Sequence, residues 1–244
     1  MKRLTLLALL LACAKPEAPA PPARPSILLV TMDTTRADAM TAEVAPAFNA
    51  LAARGLRFSY AYATVPQTLP SHASMLTGLY PAGHGVHENA RTLDPTQPLV
   101  TEKLRENGYR TAAFISAFAL ARRFGLARGF DVWDEDFGEG NAERAAKETT
   151  DRALAELAKP SSAPLFLWVH YYDPHYPYTP SYLGEVAAMD EQIGRLVAAF
   201  EKSAPGPHAI AVLSDHGEGL GEHGEEQHGN LLYQSTMHVP LVLV

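Results

Sequence analysis

The 244-residue chain contains one cysteine, Cys13, so no disulfide can brace it internally. Beyond Lys2-Arg3 it has no run of lysine or arginine longer than the pair Arg122-Arg123, and its formal net charge is −7. Both features argue against a nucleic-acid partner. It has no apolar run long enough to cross a bilayer as a helix, which takes about 20 residues. It also shows no internal repeat and no compositional break that marks a second domain. What remains is a chain long enough for one domain with a full core. Ten histidines are many for this length, and most of them crowd into loops that follow apolar runs.

The N-terminus reads as a targeting segment. Lys2-Arg3 form a basic start, Leu4 to Leu11 an apolar stretch, and Leu10-Leu-Ala-Cys13 closes it. The pattern resembles a bacterial lipoprotein signal, in which residues 1–12 are removed and Cys13 is lipidated. Residues 13–25 are rich in proline and alanine, the composition of a semi-rigid extended tether. The expected location is therefore outside the cytoplasm, in a bacterial envelope, with a membrane reached through the N-terminal lipid.

Ser26 to Met32 is a continuous apolar run, as expected of a strand buried on both faces of a parallel sheet. It delivers Asp33 to the strand's C-terminal end, where open α/β sheets place their ligands. Ala45 to Arg54 has helical spacing and stops at Gly55. Arg57 to Thr64 reads as a strand or extended arm. Leu99 to Asn107 is a predicted helix, Tyr109 to Ile115 a strand, Ala119 to Phe124 a short helix and Ala142 to Lys159 a longer one. Leu165 to His170 is the third strand, Tyr182 to Lys202 an amphipathic helix, Ile210 to Leu213 the fourth strand, and Val239 to Val244 a fifth. Strands alternating with helices in this way predict a doubly wound α/β domain, with a largely parallel sheet and helices on both faces.

The stretch Thr68-Leu-Pro-Ser-His72-Ala-Ser-Met-Leu-Thr77 through Asn89 carries the chemistry. Pro70 suits the first turn of a helix over Ser71 to Leu76. A hydroxyl at a helix N-terminus, facing unpaired N–H groups, suits an anionic group such as phosphate or sulfate. Threonine alone is a poor nucleophile, so it needs a metal or a base. Three strands end in polar clusters: Asp33, His170 to His175, and Asp215-His216. Strand C-termini of such a sheet converge on one edge. Asp33, Asp215 and His216 then make an oxygen, oxygen and nitrogen set fit for a divalent cation, with the Thr68 oxygen as fourth ligand. His175 and His228, with Asn89, are placed to neutralise further oxygens of an anionic ester and to protonate a leaving group. His84 reads as a loop brace, and His223 and His238 as solvent-facing loop residues.

From Ser26 onward the chain resembles the sulfatase family of the alkaline phosphatase superfamily. The matching pieces, in order, are Leu28-Leu-Val-Thr-Met-Asp33-Thr-Thr-Arg-Ala-Asp38, Pro70-Ser-His-Ala-Ser-Met-Leu-Thr-Gly-Leu-Tyr-Pro-Ala-Gly-His-Gly-Val86, Val169-His-Tyr-Tyr-Asp-Pro-His-Tyr-Pro-Tyr178 and Ser214-Asp-His-Gly-Glu-Gly-Leu-Gly-Glu-His-Gly224. The resemblance implies an alkaline-phosphatase-like fold over 26–244, a metal at Asp33, Asp215 and His216, and a covalent intermediate. It also implies a substrate-binding place for His72, where active sulfatases carry arginine.

The sequence departs from the family at its centre. Active sulfatases have Cys or Ser, oxidised to formylglycine, where this chain has Thr68. Thr68 through Asn89 looks like the nucleotide pyrophosphatase-type phosphodiesterases, whose phosphate-binding asparagine falls at the same spacing. Asp215-His216 followed by His228-Gly is similar to phosphoethanolamine transferases. The Asp-x-x-x-His pair of two-zinc phosphodiesterases is missing from 170–178, which predicts one divalent cation (Ca, Mn, Mg or Zn). The expected activity is hydrolysis of a phosphate or sulfate ester through Thr68, with the phosphoester favoured. Transfer of a phospho-headgroup and metal-free binding are the alternatives. Family members usually continue beyond Val244 with a smaller C-terminal subdomain, so the chain is expected to be a fragment or a truncated product.

Overall fold

The computed structural model describes residues 23–244. The signal segment 1–12, Cys13 and all of the tether but 23–25 lie outside the described residues. At the junction, the Arg24 guanidinium donates to the carbonyl of Asn107. Among the described residues no helix is long and apolar enough to cross a membrane.

In chain order the elements are β1 (Ser26–Met32), α1 (Pro46–Arg54), β2 (Leu56–Arg57), β3 (Ala61–Tyr62), α2 (Thr68–Thr77), α3 (Pro81–His84), α4 (Val100–Glu106), β4 (Arg110–Phe114), β5 (Val132–Asp134), α5 (Ala146–Leu157), β6 (Leu165–Tyr171), α6 (Tyr182–Ser203), β7 (His208–Ser214), α7 (Gln234–Met237), β8 (His238–Val239) and β9 (Leu241–Leu243). Seven strands form one sheet in the order β2-β9-β7-β1-β6-β4-β5. Its centre is parallel, whereas β9 runs antiparallel to β7 and β2 antiparallel to β9. A two-stranded ribbon of β3 and β8 stands beside it.

Alternation along the central strands splits the core into two layers, because successive side chains leave opposite faces of a strand. Leu28, Val30 and Met32 of β1, with Leu165, Leu167, Val169 and Tyr171 of β6, meet α1, α5 and α6 on one face. Phe166 and Trp168 of β6, with Ile27 and Leu29 of β1, meet α2 and the segment 120–130 on the other. Helix α6 lies where its pattern predicts, with Val186, Met189, Ile193 and Leu196 all buried. Its Asp190 has a second task. The first turn of α1 has no side-chain cap of its own, and the Asp190 carboxylate accepts from Ala47 N (2.7 Å) and Phe48 N (2.9 Å). A helix start capped in this way is worth about 0.5–2 kcal/mol.

The register sets the three central strands level. Met32 pairs with Tyr171 on one side and with Ser214 on the other. The residues that follow therefore emerge side by side at one edge of the sheet.

Several elements differ from the sequence reading. The helix expected over Ala119 to Phe124 is two 3₁₀ turns, Phe118–Leu120 and Arg122–Phe124, separated by Ala121 at an extended ψ of 146°. The arm expected over Arg57 to Thr64 is two short strands, and the fifth strand is divided at Pro240 into β8 and β9. Proline has no N–H to give a ladder, which accounts for the break. Strand β5 and helix α3 are three and four residues long, too short for a periodic signal.

Candidate active site and metal centre

Asp33 follows β1 directly, and its N–H donates to Tyr171 O (2.8 Å), so the ladder reaches one residue past the strand. The chain then turns sharply: Thr34 has φ +47°, a left-handed conformation costly for a β-branched residue. Its hydroxyl donates to the Pro174 carbonyl, and its own carbonyl accepts from Tyr182 Oη (2.9 Å). Asp215 N donates to Met32 O (3.1 Å) and places Asp215-His216 beside Asp33. Helix α2 supplies the remaining group. Its first residue, Thr68, is buried, with Oγ1 3.4 Å from Asp33 Oδ2. Gly78, at φ +73°, ends the helix by returning its N–H to Ser74 O.

The convergence is of unpartnered atoms. His216 Nε2 lies 3.4 Å from Asp33 Oδ1 and 3.6 Å from Asp215 Oδ2, and all three are buried without a hydrogen-bond partner. Both nitrogens of buried His170 are likewise unpartnered, with Nε2 3.5 Å from Asp33 Oδ2. A buried polar group left unsatisfied costs about 1–3 kcal/mol. Several in one place approach the whole stability of a domain, about 5–15 kcal/mol. A cation at this point would satisfy Asp33 Oδ1, Asp215 Oδ2 and His216 Nε2 together, and the ligand atoms of Asp33, Asp215 and His216 lie within 4.8 Å of one another.

Protonation fits the same reading. His216 Nδ1 lies 2.9 Å from Gly217 O, an acceptor, so Nδ1 carries the proton and Nε2 offers its lone pair. Burial, and then the nearby His228, pushes His216 down to about 4. Burial opposes ionisation of Asp33, but the His170 contact and the charge of His216 outweigh it and hold its pKa well below the ordinary value. Asp215 moves the opposite way, raised first by burial and then by the charge of Asp33. Two carboxyl groups pressed together out of water are relieved by a proton on one of them or by a cation between them.

The other predicted residues gather around this cluster in different ways. The His228 ring lies 4.4 Å from that of His216, centroid to centroid, and 5.5 Å from that of His175. His175 stacks on Tyr172. Burial works against protonation of His228, yet the Glu218 carboxylate bonded to its Nδ1 outweighs it and moves the pKa up. Asn89 Oδ1 accepts from Leu69 N (2.8 Å) at the start of α2, and this fixes the amide beside Thr68.

His72 lies on α2 itself, one turn after Thr68. Its Nδ1 meets Thr68 O (2.7 Å) and its Nε2 meets Thr31 Oγ1 (2.9 Å), while Trp168 Nε1 donates to the same hydroxyl (2.9 Å). A carbonyl only accepts, so the proton sits on Nδ1 and the Thr31 hydroxyl donates to Nε2. Burial, with His170 alongside, pushes His72 down to about 3, which keeps the ring neutral. As placed, His72 braces the Thr68 main chain, with both nitrogens engaged.

His84 is the brace its loop suggests, accepting from Val86 N (3.1 Å) and meeting Ser74 Oγ (3.0 Å). His223 stacks on Tyr233, and His238 packs with Tyr60 and Tyr62 on the ribbon. Two site residues have no role in the sequence reading. His170 reads there as part of a polar cluster only, although a histidine closing an all-apolar strand is a detectable signal. Glu218 gives none, because its partner His228 is ten residues away across a loop.

A central parallel sheet with paired aspartates, a histidine and a helix-borne hydroxyl at its C-terminal edge defines a protein of the alkaline phosphatase fold. A sulfatase profile matches residues 25–244, and the chain belongs to the sulfatase family. It is 22% identical over 311 residues to the uncharacterized sulfatase YidJ of Escherichia coli, covering 90% of this chain and 62% of that protein. It is 29% identical over 203 residues to an N-acetylglucosamine-6-O-sulfatase of Bacteroides thetaiotaomicron, covering 73% of this chain and 36% of the relative. The chain thus spans less than two thirds of the length of these relatives. Its structure superposes on the phosphonate monoester hydrolase of Agrobacterium radiobacter with a TM-score of 0.73 at 19% identity, over 90% of this chain and 68% of the other.

Proposed function

We propose that the chain is the catalytic part of a metal-dependent hydrolase that cleaves an anionic ester through a covalent adduct on Thr68, with phosphorus esters preferred to sulfate esters. The observation that carries this reading is the Thr68 hydroxyl, 3.4 Å from Asp33 Oδ2 at the rim of the unpartnered cluster. Asp33, Asp215 and His216 would hold one divalent cation, with Thr68 Oγ1 beside it. Such a cation lowers the pKa of a neighbouring hydroxyl and neutralises substrate oxygens. The mixed oxygen and nitrogen donors favour Mn or Zn over Ca.

The chain's own residues supply the remainder. Thr68 Oγ1 gives up its proton to solvent and forms the bond to phosphorus, while the P–O bond to the ester oxygen breaks and that oxygen leaves with a proton from His228 or His175. Asn89, held at the helix start, donates its amide N–H to a non-bridging oxygen. Water then attacks the same phosphorus and gives up a proton to the histidine, the P–O bond to Thr68 breaks, and Oγ1 takes back a proton from solvent. A formylglycine hydrate expels sulfate by collapsing to the aldehyde. Threonine has no such exit, so its adduct must undergo a second displacement at the central atom. Phosphoryl groups suit that step, because charge spread over their equatorial oxygens is stabilised by surrounding cationic and N–H groups.

The test uses one leaving group on different acids. With 4-nitrophenyl phosphate, 4-nitrophenyl phenylphosphonate and 4-nitrophenyl sulfate, kcat/KM for a phosphorus ester should exceed that for the sulfate by at least about tenfold, or 1.4 kcal/mol. Faster turnover of the sulfate would contradict the reading. If an acceptor alcohol replaces water in the second step, the same residues perform a headgroup transfer, and product analysis with ethanolamine or glycerol present separates the two.

The lipid anchor belongs to the same proposal and rests on the Leu10-Leu-Ala-Cys13 ending of the signal segment. In a bacterial host, Cys13→Ser should move the protein from the membrane fraction to a soluble one. An unchanged membrane fraction would rule the anchor out.

A further inference from the structure

Beyond the cation ligands and the nucleophile, one buried carboxylate is aimed at a histidine of the site. Glu218 is fully buried two residues past His216. Its Oε2 accepts from Tyr178 Oη (2.8 Å), and its Oε1 lies 3.0 Å from His228 Nδ1. The Gly219 N–H also points at Oε1 (3.3 Å). Both carboxylate oxygens are therefore occupied by donors, and this accounts for a carboxylate out of water.

The loop from Gly219 to His228 is built to close this contact. Gly219 N donates to Gln227 O (2.6 Å), and a Cβ at Gly219 would lie 2.2 Å from Glu225 O and 2.5 Å from Gln227 O. Only glycine lets the two sides of the loop approach so closely. Glu225 ties the far side by accepting from Asn230 N (2.8 Å) and Leu231 N (3.2 Å). The Arg36 guanidinium reaches the Glu218 carbonyl (3.3 Å) and the Glu222 carboxylate (2.8 Å), which fixes the near side to the segment after Asp33.

We infer that Glu218 is a positioning residue for His228: it holds the proton on Nδ1 and turns Nε2, on the opposite side of the ring, to the substrate beside His216. The catalytic contact is made by His228, and Glu218 acts through it. The tautomer of an imidazole is set by the partner of its other nitrogen. In the neutral ring, Nε2 then carries the lone pair needed to take a proton from attacking water, and after taking it Nε2–H can donate to the ester oxygen. Tyr178 belongs to the same device, because its hydroxyl keeps the carboxylate from rotating away.

The inference rests on the proposed hydrolase reading, and its test includes a readout that needs no substrate. In 15N-histidine NMR of the full chain, assigned by loss of one ring in His228→Gln, His228 should carry its proton on Nδ1. In Glu218→Ala that proton should redistribute toward Nε2, with metal content unchanged. Glu218→Gln fills the same space and keeps an acceptor, so it should keep the tautomer and rescue part of the rate. In turnover, Glu218→Ala should lower kcat by about 10–100-fold, the usual effect of removing an outer partner, with KM changed far less. In a His228→Gln background, Glu218→Ala should cost nothing further. Should Glu218→Ala fail to fold, Tyr178→Phe reads out the same tautomer shift in part. A His228 tautomer indifferent to Glu218→Ala or Tyr178→Phe overturns the inference, as does an equal further loss in the double variant. A tautomer shift in a chain that turns over no ester would keep the positioning role and refute the hydrolase reading instead.

Discussion

Asp215→Asn should leave purification almost free of metal, while the metal-free protein becomes more stable than the metal-free parent. Both effects follow from one geometry. Asp215 Oδ2 is buried without a partner, 3.6 Å from His216 Nε2, and Asp215 is raised in pKa by burial and by the charge of Asp33. A cation loses an anionic oxygen when the carboxylate becomes an amide. Removal of even an outer-shell partner costs 10–100-fold in affinity, so loss of a direct ligand should exceed about 100-fold. Without the cation, the parent can keep the two carboxyl groups together out of water only by taking up a proton on Asp215, a cost that the amide avoids. Elemental analysis and urea unfolding after chelation read out the two effects. Unchanged metal content in both Asp215→Asn and Asp33→Ala would remove the site. A lower urea midpoint for the stripped variant would show that repulsion is not what the cation relieves.

Thr68→Ala should lower turnover by on the order of 10⁴-fold or more, the scale seen when a covalent nucleophile is removed. Fold and metal content should survive. His72 grips the Thr68 carbonyl rather than its hydroxyl, and the cap from Asn89 goes to Leu69 N. Neither contact involves the deleted atoms. Thr68→Ser keeps the hydroxyl and should retain measurable activity, whereas Thr68→Val keeps the shape and should not. Circular dichroism and elemental analysis separate this outcome from unfolding, and full activity in Thr68→Ala would end the nucleophile assignment.

The architecture was legible because its largest signals are periodic. Ile27 to Val30 and Leu165 to Val169 are apolar without interruption, and the structure places them at the centre of the sheet. The α6 stripe of Val186, Met189, Ile193 and Leu196 announces a buried helix face, and it is one. Asp33 and Asp215-His216 could be gathered from sequence because strand ends of a parallel sheet share an edge. Illegible parts depend on contacts across long separations. Glu218 and His228 meet only after a loop folds back through Gly219. The Trp168, Thr31 and His72 chain joins β6, β1 and α2 through one hydroxyl, and no spacing rule announces it. Short elements such as β5 escape for a simpler reason: three residues hold no period.

The most direct test of a covalent Thr68 adduct is peptide mapping after rapid quench. The metal-loaded chain, mixed with excess 4-nitrophenyl phenylphosphonate and quenched in acid during turnover, should release a burst of 4-nitrophenol. It should carry a phenylphosphonyl group on the peptide that contains Thr68, absent from Thr68→Ala. The phenyl group distinguishes this adduct by mass from a phosphoryl or sulfo group already present. Turnover with the label on another residue, or with no labelled peptide despite a burst, would contradict the account.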